Sequence, residues 1–192
     1  MAHDVVISVL TPDRVGLIAG VTHAVYTAGG NIRAISQTVL QGYFTIILTA
    51  TLPDDCAPDH LQHAIEATGR AGELSVLVRR RTHTDAAPPA HPAGDRFVLT
   101  ISGPDQPGIL ARITAYLASQ GINIEDLAAH TDNARFLVMG ELTVPASEDV
   151  RQLQIDLNAL LPAADRLVTL QHVNVFTATT EVAFRHAKRS TP

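Results

Sequence analysis

The sequence predicts an α+β protein made of two similar domains, and three observations carry this prediction. The string PDRVG at residues 12–16 returns as PDQPG at residues 104–108, an offset of 92 positions. At this offset, and without a gap, 12 of the 49 positions from 5 to 53 are identical, which indicates a tandem duplication. Each copy reads as strand, helix, strand, strand, helix, strand. This βαββαβ order predicts a ferredoxin-like unit, a four-stranded antiparallel sheet with two helices on one face.

The domain boundaries follow from where the periodicity stops. We expect a first domain at residues 1–81 and a second at residues 96–176. Residues 82–95, THTDAAPPAHPAGD, are rich in Pro and Ala and lack periodicity, which indicates a flexible linker. Residues 177–192 have no counterpart in the first copy and are expected to form a C-terminal tail, either frayed or a short helix.

Periodicity also assigns the helices of each copy. Leu110, Ile113 and Leu117 predict the apolar stripe of the first helix in the second copy, and Gly121 is expected to end that helix in a left-handed conformation. Ser147 is the predicted N-cap of the last helix. Because the helices cover only one face of each sheet, the other face is left for water or a partner. We expect the two sheets to pair edge to edge, which would cover edges that otherwise invite aggregation.

Composition narrows the classes of function. No apolar run reaches the roughly 18 residues of a membrane span, and the start MAHDVVISVL lacks the basic region of a signal peptide. We therefore expect a cytoplasmic protein with no membrane partner. The net charge of -5 disfavours direct, unspecific binding to nucleic acid.

The repeated loop suggests a binding function. Asp13 and Asp105 can make an Asx-type turn, while Gly16 and Gly108 keep the surface free of a Cβ atom. The result is a helix start with unpaired N–H groups and partial positive charge, which suits a carboxylate or phosphate. A loop that only shapes the turn from strand to helix is the alternative, and the sequence leaves both open.

Asparagine follows the same helix in both copies. GGNI at residues 29–32 and GINI at residues 121–124 place Asn31 and Asn123 at the start of the next strand. An amide offers both a donor and an acceptor, which a ligand with a carboxylate and an ammonium group needs. An asparagine that merely caps the turn is equally compatible with the sequence.

Together these motifs resemble the ACT domain, a small-molecule-sensing module that commonly binds amino acids. The resemblance covers residues 4–81 and 96–176, and a chain of little more than two such domains is similar to the glycine cleavage system transcriptional repressor group, whose tandem ACT domains regulate through protein contacts. It implies that a small amino acid such as glycine or serine binds at an interface between two ACT domains. Carried onto this sequence, the resemblance implicates Asp13, Arg14, Val15, Gly16, Asn31, Ile32, Asp105, Gln106, Pro107, Gly108, Asn123 and Ile124. The first copy departs from the commoner pattern at Val15 and Gly30.

Other functions are less well supported by the residues. No Ser-His-Asp order, Walker loop or HExxH string occurs, and His60 and His63 lack an evident third metal ligand, so we expect no catalytic residue, metal or cofactor. RNA recognition motifs share the βαββαβ order, yet the chain has 4% aromatic residues and no Trp for base stacking. The sequence therefore predicts a non-enzymatic regulator that acts through a protein partner, such as a transcription factor or a metabolic enzyme, and a homodimer is one way to form its ligand site. RNA binding and a ligand-independent interaction scaffold remain the alternatives.

Overall fold

The computed structural model describes residues 2–81, 93–161 and 166–177. The chain divides into two compact units, residues 1–87 (the first unit) and residues 88–192 (the second unit). Most of the predicted linker, residues 82–92, and the predicted tail beyond Thr177 lie outside the described residues.

Each unit is a four-stranded antiparallel sheet with two helices. The elements of the first unit are β1 (Ala2–Pro12), α1 (Leu17–Thr27), β2 (Asn31–Leu40), β3 (Tyr43–Pro53), α2 (Pro58–Glu66) and β4 (Ser75–Arg80). Those of the second are β5 (Gly94–Pro104), α3 (Ile109–Ser119), β6 (Asn123–Asp132), β7 (Arg135–Pro145), α4 (Val150–Leu160) and β8 (Leu167–His172). The strand orders are β2-β3-β1-β4 and β6-β7-β5-β8. The predicted ferredoxin-like fold is therefore confirmed in both copies.

The strands bury one face because their apolar residues alternate with a period of two. In β3, Phe44, Ile46 and Leu48 are buried, whereas Ile47 between them is 59% exposed. The buried set packs with the inward residues of α1 and α2 into one core, and β7 repeats the pattern in the second unit. The opposite face of each sheet carries exposed apolar side chains, such as Leu77 in the first unit.

The apolar stripe of α3 begins one residue earlier than the sequence predicted. Ile109, Ile113 and Leu117 are buried, whereas Leu110, which was predicted to belong to the stripe, is 38% exposed. The phase is set by where the helix begins. Gly108 is the N-cap, so Ile109 is the first helical residue and its side chain enters the core.

Glycine ends the first helix of each unit as predicted. Gly29 and Gly121 have φ angles of 73° and 65°, the left-handed conformation in which glycine avoids the cost of a Cβ atom.

Two predicted boundaries differ from the structure. Asp149, and not Ser147, is the N-cap of α4, because the helix starts at Val150 and the Asp149 carboxylate accepts from the N–H groups of Arg151 and Gln152. At the end of the predicted linker, residues 94 and 95 already belong to β5, where they pair with residues 145 and 144 of β7. Strand pairing therefore extends the sheet beyond the point where hydrophobic alternation is visible.

The helices of the two units differ in how they meet. In the second unit the Tyr116 hydroxyl of α3 donates to Asp156 Oδ2 of α4 at 2.7 Å, and Gln152 Nε2 donates to Asp156 Oδ1 at 2.8 Å. At the equivalent positions of the first unit, 92 residues earlier, the sequence has Ala24 and Ala64. The hydrogen-bonded bridge between helices is thus confined to the second unit.

The hydrogen bond between Tyr116 and Asp156 predicts that Tyr116 ionises at a higher pH than an ordinary tyrosine. Burial, followed by the hydrogen bond to Asp156, raises the pKa of the Tyr116 phenol to about 12. Because the fold favours the neutral phenol, its contribution to stability is complete below pH 10 and is lost as the pH rises towards 12. We expect the tyrosinate absorbance of the protein to show a step near pH 12 that Tyr116→Phe removes and that Tyr26→Phe, at an exposed position, leaves in place. An unchanged curve for Tyr116→Phe would contradict the bridge.

The hairpin turns give a second prediction. Residues Gln41 and Gly42 join β2 to β3, and Asn133 and Ala134 join β6 to β7, all with positive φ, as two-residue type I′ turns require. Alanine is strained in this region, so we expect Ala134→Gly to raise the free energy of unfolding by about 1 kcal/mol. Gly42→Ala should lower it by a similar amount, since the added Cβ would meet no atom within 4 Å and only the backbone strain remains. Denaturant unfolding curves measure both, and two unchanged midpoints would refute the strain.

Candidate functional site

The loop before the first helix has the same backbone form in both units. Gly16, with φ 92°, is the N-cap of α1, and Gly108, with φ 83°, is the N-cap of α3. A Cβ atom at either glycine would meet nothing within 4 Å, so backbone conformation and not crowding requires glycine. Neither helix start has a side-chain cap or an acidic residue in its first turn. The first N–H groups of both helices are therefore free of side-chain partners.

Each loop is braced by the neighbouring hairpin turn. The backbone N–H of Asp13 donates to Gly42 O at 2.8 Å, and that of Asp105 donates to Ala134 O at 2.9 Å. The sequence suggested that these aspartates hold the loop through side-chain Asx turns. The structure shows no side-chain hydrogen bond that caps either helix, and the backbone bonds to the hairpin turns hold the start of each loop.

Each loop forms one wall of a hollow of about 480 Å³ in the first unit and about 420 Å³ in the second. The first hollow is lined by Asp13, Arg14, Gly16, Leu17, Ile18, Ala19, Gln37, Val39 and Phe44. The second is lined by the equivalent residues Asp105, Gln106, Gly108, Ile109, Leu110, Ala111, Ala129, Thr131 and Phe136, together with Pro107, His130 and Val138. The duplication has thus kept a hollow at the same place in both units, and Leu110 lies in its wall.

The predicted asparagines are not near the loop of their own unit. Asn31 begins β2, whereas Gln37, which lines the first hollow, lies six residues further, roughly 20 Å along the strand. Asn123 has the same place at the start of β6. Ile32 and Ile124, which follow the asparagines, pack against the cores. Within one unit, the structure separates the loop residues from the Gly-x-Asn-Ile residues.

The two asparagines have neighbours of opposite charge. Asn123 Nδ2 donates to Glu125 Oε1 at 2.8 Å, and the Thr143 hydroxyl donates to the same oxygen at 2.7 Å. At the position equivalent to Glu125, the first unit has Arg33, whose Nε donates to Thr51 Oγ1 at 2.9 Å. The Thr51 hydroxyl in turn donates to Asp4 Oδ1 at 2.8 Å, so a carboxylate lies beside this strand position in both units and an arginine in the first.

Val15 and Pro107 occupy the tips of the two loops. Val15 is 99% exposed, an unusual position for an apolar side chain, whereas Pro107 belongs to the wall of the second hollow. The restricted backbone of proline makes the second loop the more rigid of the two.

The arginine of the first loop is held by an acidic residue. Arg14 Nε donates to Glu73 Oε1 at 2.8 Å, and the Arg70 backbone N–H donates to Glu73 Oε2 at 2.7 Å. These hydrogen bonds, that from Arg14 first, lower the pKa of Glu73. Glu73 thus neutralises much of the positive charge that Arg14 brings to the first hollow.

Arg166 does not line the second hollow but lies against Phe136 of its wall, a contact that the sequence did not reveal. Its Nη2 donates to Pro104 O at 3.0 Å, its guanidinium lies 5.6 Å from the centre of the Phe136 ring, and its Nε is buried with no hydrogen-bond partner. Gly103 makes room for it, because a Cβ atom there would lie 3.1 Å from Arg166 Cα. The only sequence signal is that an arginine stands at the position where the first copy has Leu74.

The two histidines of α2 have no third potential metal ligand close by among the described residues. His60 and His63 are exposed on α2, and His63 Nδ1 lies 2.7 Å from Asp59 O. Among residues 2–81, 93–161 and 166–177, no three potential ligands lie close enough to hold a metal ion. Within that part of the chain, no helix is long and apolar enough to cross a membrane.

Comparison with known proteins finds relatives that match a stretch of this chain about as long as one unit. Curated relatives include a UPF0237 protein of Methanosarcina acetivorans, 39% identical over 77 residues, which are 38% of this chain and 82% of the relative. A UPF0237 protein of Clostridium acetobutylicum is 45% identical over 75 residues, which are 38% of this chain and 84% of the relative.

Solved structures match the whole fold. An unknown protein from Galdieria sulphuraria has a TM-score of 0.71 at 23% identity, covering 90% of this chain and 99% of its own. A candidate glycine cleavage system transcriptional repressor has a TM-score of 0.63 at 21% identity, covering 90% of this chain and 98% of its own. At these identities the likeness concerns the fold.

The family is shown by a match that covers both units. The sequence model of the ACT domain, a regulatory and amino-acid-sensing domain, matches residues 5–67 and 97–160. The chain belongs to the ACT domain family, of which it carries two copies in tandem.

Proposed function

We propose that this protein is a non-enzymatic regulator that binds a small amino acid at the hollows beside Gly16 and Gly108 and acts through a protein partner. One observation carries the proposal: the same hollow, walled by an uncapped helix start, recurs at equivalent positions in both units. The hollow volumes lie within the roughly 300–1,000 Å³ of small-molecule sites. Membership in a family of amino-acid-sensing domains supports the same function.

The charges of each loop complement a zwitterion. The α-carboxylate of the ligand accepts hydrogen bonds from the first N–H groups of the helix, where the helix dipole favours negative charge. The α-ammonium faces the carboxylate of Asp13 or Asp105, both of which are exposed in the hollow wall. Ile18 and Leu110 give the walls an apolar part, which disfavours an amino acid with a charged side chain and leaves small ones such as glycine and serine as candidates.

Asn31 and Asn123 can contact the ligand only if the ligand lies at the loop of a different ACT domain. A ligand at the loop is roughly 20 Å from the asparagine of its own domain. A homodimer supplies a further domain, and binding then favours whichever assembly has the higher affinity for the ligand. A transcription factor or a metabolic enzyme that contacts only one assembly would respond to the amino acid. The fold resembles that of a candidate glycine cleavage system transcriptional repressor. For this reason we favour the transcription of genes for amino-acid metabolism as the process that is regulated.

The second hollow is the stronger of the two sites in this proposal. Arg166 places a cation with an unpartnered Nε against Phe136 of the hollow wall, whereas Arg14 of the first loop is already paired with Glu73. A net positive potential strengthens the binding of a carboxylate.

A ligand-independent scaffold is the competing function. It is favoured by exposed apolar side chains on the open face of the first sheet, such as Ile47 and Leu77. RNA binding has less support. In the described part of the chain, Tyr43 is the aromatic residue on the open sheet faces. Proteins that bind RNA by base stacking use several aromatic side chains.

Calorimetric titration of the full chain tests the sensing function. We expect saturable heat with glycine, serine or another amino acid at millimolar concentration. Gly108→Val should remove the heat of the second site and Gly16→Val that of the first, because a β-branched residue is strained at positive φ. Gly72→Val is the matched control, since Gly72 also has a positive φ of 74° and open surroundings but lies outside both hollows. If the unaltered protein gives no heat with any amino acid, the proposal fails and the scaffold function is favoured.

Arg166→Leu tests the origin of the stronger site. This change introduces the residue type that the first unit has at Leu74. We expect amino-acid affinity at the second hollow to fall about tenfold, since a charge-assisted interaction contributes roughly 1.5 kcal/mol. Arg151→Leu removes the same charge from an exposed residue of α4 that, unlike Arg166, is not recorded in contact with a residue of the hollow wall, and it should change the affinity little. If both variants lost the same amount of amino-acid affinity, the effect would come from net charge, and a local role for Arg166 would be refuted.

A further inference from the structure

A groove between α1 and α2 of the first unit is separate from the hollows at the loops. Its volume is about 670 Å³, within the roughly 300–1,000 Å³ of small-molecule sites. Its floor and rim include Ala24, Ala28, Leu61, Ala64, His23 and His60. The groove thus has an apolar floor made of small side chains and a polar rim with two imidazoles.

In the second unit, an aromatic side chain occupies the corresponding place. Tyr116 projects from α3 towards α4, where its hydroxyl donates to Asp156 Oδ2 at 2.7 Å. Gln152 holds the other carboxylate oxygen at 2.8 Å. The Tyr116 side chain packs partly buried against the core of that unit. The space between these helices therefore accommodates a phenol ring with a polar partner for its hydroxyl.

The first unit lacks all three of these side chains. The offset of 92 places Ala24 at the Tyr116 position, Ala64 at the Asp156 position and His60 at the Gln152 position. All three residues line the groove. In the first unit, alanine therefore stands at the positions of both residues that form the interhelical hydrogen bond in the second unit.

An open groove remains between α1 and α2, although the two helices pack closely where Gly20 of α1 meets Thr68 beyond the end of α2. Leu61 and Ile65 of α2 are fully buried, as are Leu153 and Leu157 at the equivalent positions of α4. Each pair anchors its helix to the core of its own unit, and side chains that are held by core packing do not readily shift to fill a neighbouring space. The missing tyrosine and aspartate therefore leave an open groove.

We infer that this groove is a binding site for a small phenolic compound, whose ring takes the place that the Tyr116 ring fills in the second unit. The ring packs on Ala24, Leu61 and Ala64, where burial of an aromatic surface is favourable. The hydroxyl lies towards His60, because a neutral imidazole nitrogen can accept its hydrogen bond as a carboxylate oxygen does for Tyr116.

The phenol site and the first amino-acid hollow use different parts of α1. The hollow is lined by the first turn, residues 17–19, and the groove by residues 23, 24, 27 and 28 near the other end. Both sites can be occupied at once, and a phenolic ligand does not compete with an amino acid for the same atoms.

Titration of the full chain with 4-methylphenol, the side chain of tyrosine, tests the inference. Two-dimensional 1H–15N NMR should show saturable shifts of the amides of Ala24, Thr27 and Ala64, with a dissociation constant in the millimolar range or below. Toluene, which lacks the hydroxyl, should bind at least threefold more weakly. If 4-methylphenol gives no saturable shift at these amides, or if toluene binds equally well, the inference is wrong.

A variant that restores the side chains of the second unit provides the matched control. Ala24→Tyr with Ala64→Asp fills the groove with the bridge that the chain already builds between α3 and α4, and it should weaken 4-methylphenol binding at least tenfold. Ala64→Gln, a single change in the groove wall, should weaken binding in the same direction and serves if the double variant does not fold, as thermal unfolding would show. Undiminished binding in either folded variant would overturn the inference.

Discussion

The left-handed glycine between the first strand and the first helix is the constraint on which the proposed function depends. Gly16 and Gly108 have φ angles near +90°, which glycine adopts without the steric cost that a Cβ atom adds. The chain can therefore turn from strand to helix with no side chain over the helix start, and backbone bonds to Gly42 and Ala134 hold the turn in place. The helix starts without side-chain caps and the hollows beside them both result from this geometry. A side chain at either glycine would strain the turn that presents them.

The duplication lets one half of the molecule serve as a reference for the other. Where the first unit has Leu74, the second has Arg166, and Gly103 makes room for it. Where the second has the Tyr116–Asp156 bridge, the first has alanine at both positions and an open groove. In each case the two units differ at two neighbouring positions, while the fold is the same. The units have therefore kept a common fold and diverged in the chemistry of their surfaces.

Most of the fold could be predicted from the sequence, because alternation, helical periodicity and repeated glycines are local signals. Less of the site could be predicted. The phase of α3 depends on the residue at which the helix begins, and so Leu110 was assigned to the core although it lines the second hollow. The distance between the loop and Asn31 depends on how β2 runs through the sheet. Arg166 approaches Pro104 only because β8 pairs with β5, and the sequence separation of 62 residues gives no hint of it.

Mapping a bound amino acid onto the backbone would test the central claim most directly, namely that the uncapped helix starts bind its carboxylate. Backbone amide shifts of the full chain should be recorded at saturation with whichever amino acid binds most tightly. The account predicts that the largest changes fall on residues 17–19 and 109–111, the first turns of α1 and α3, with the second set saturating first. Changes confined to the open sheet faces, or to residues far from both helix starts, would contradict it.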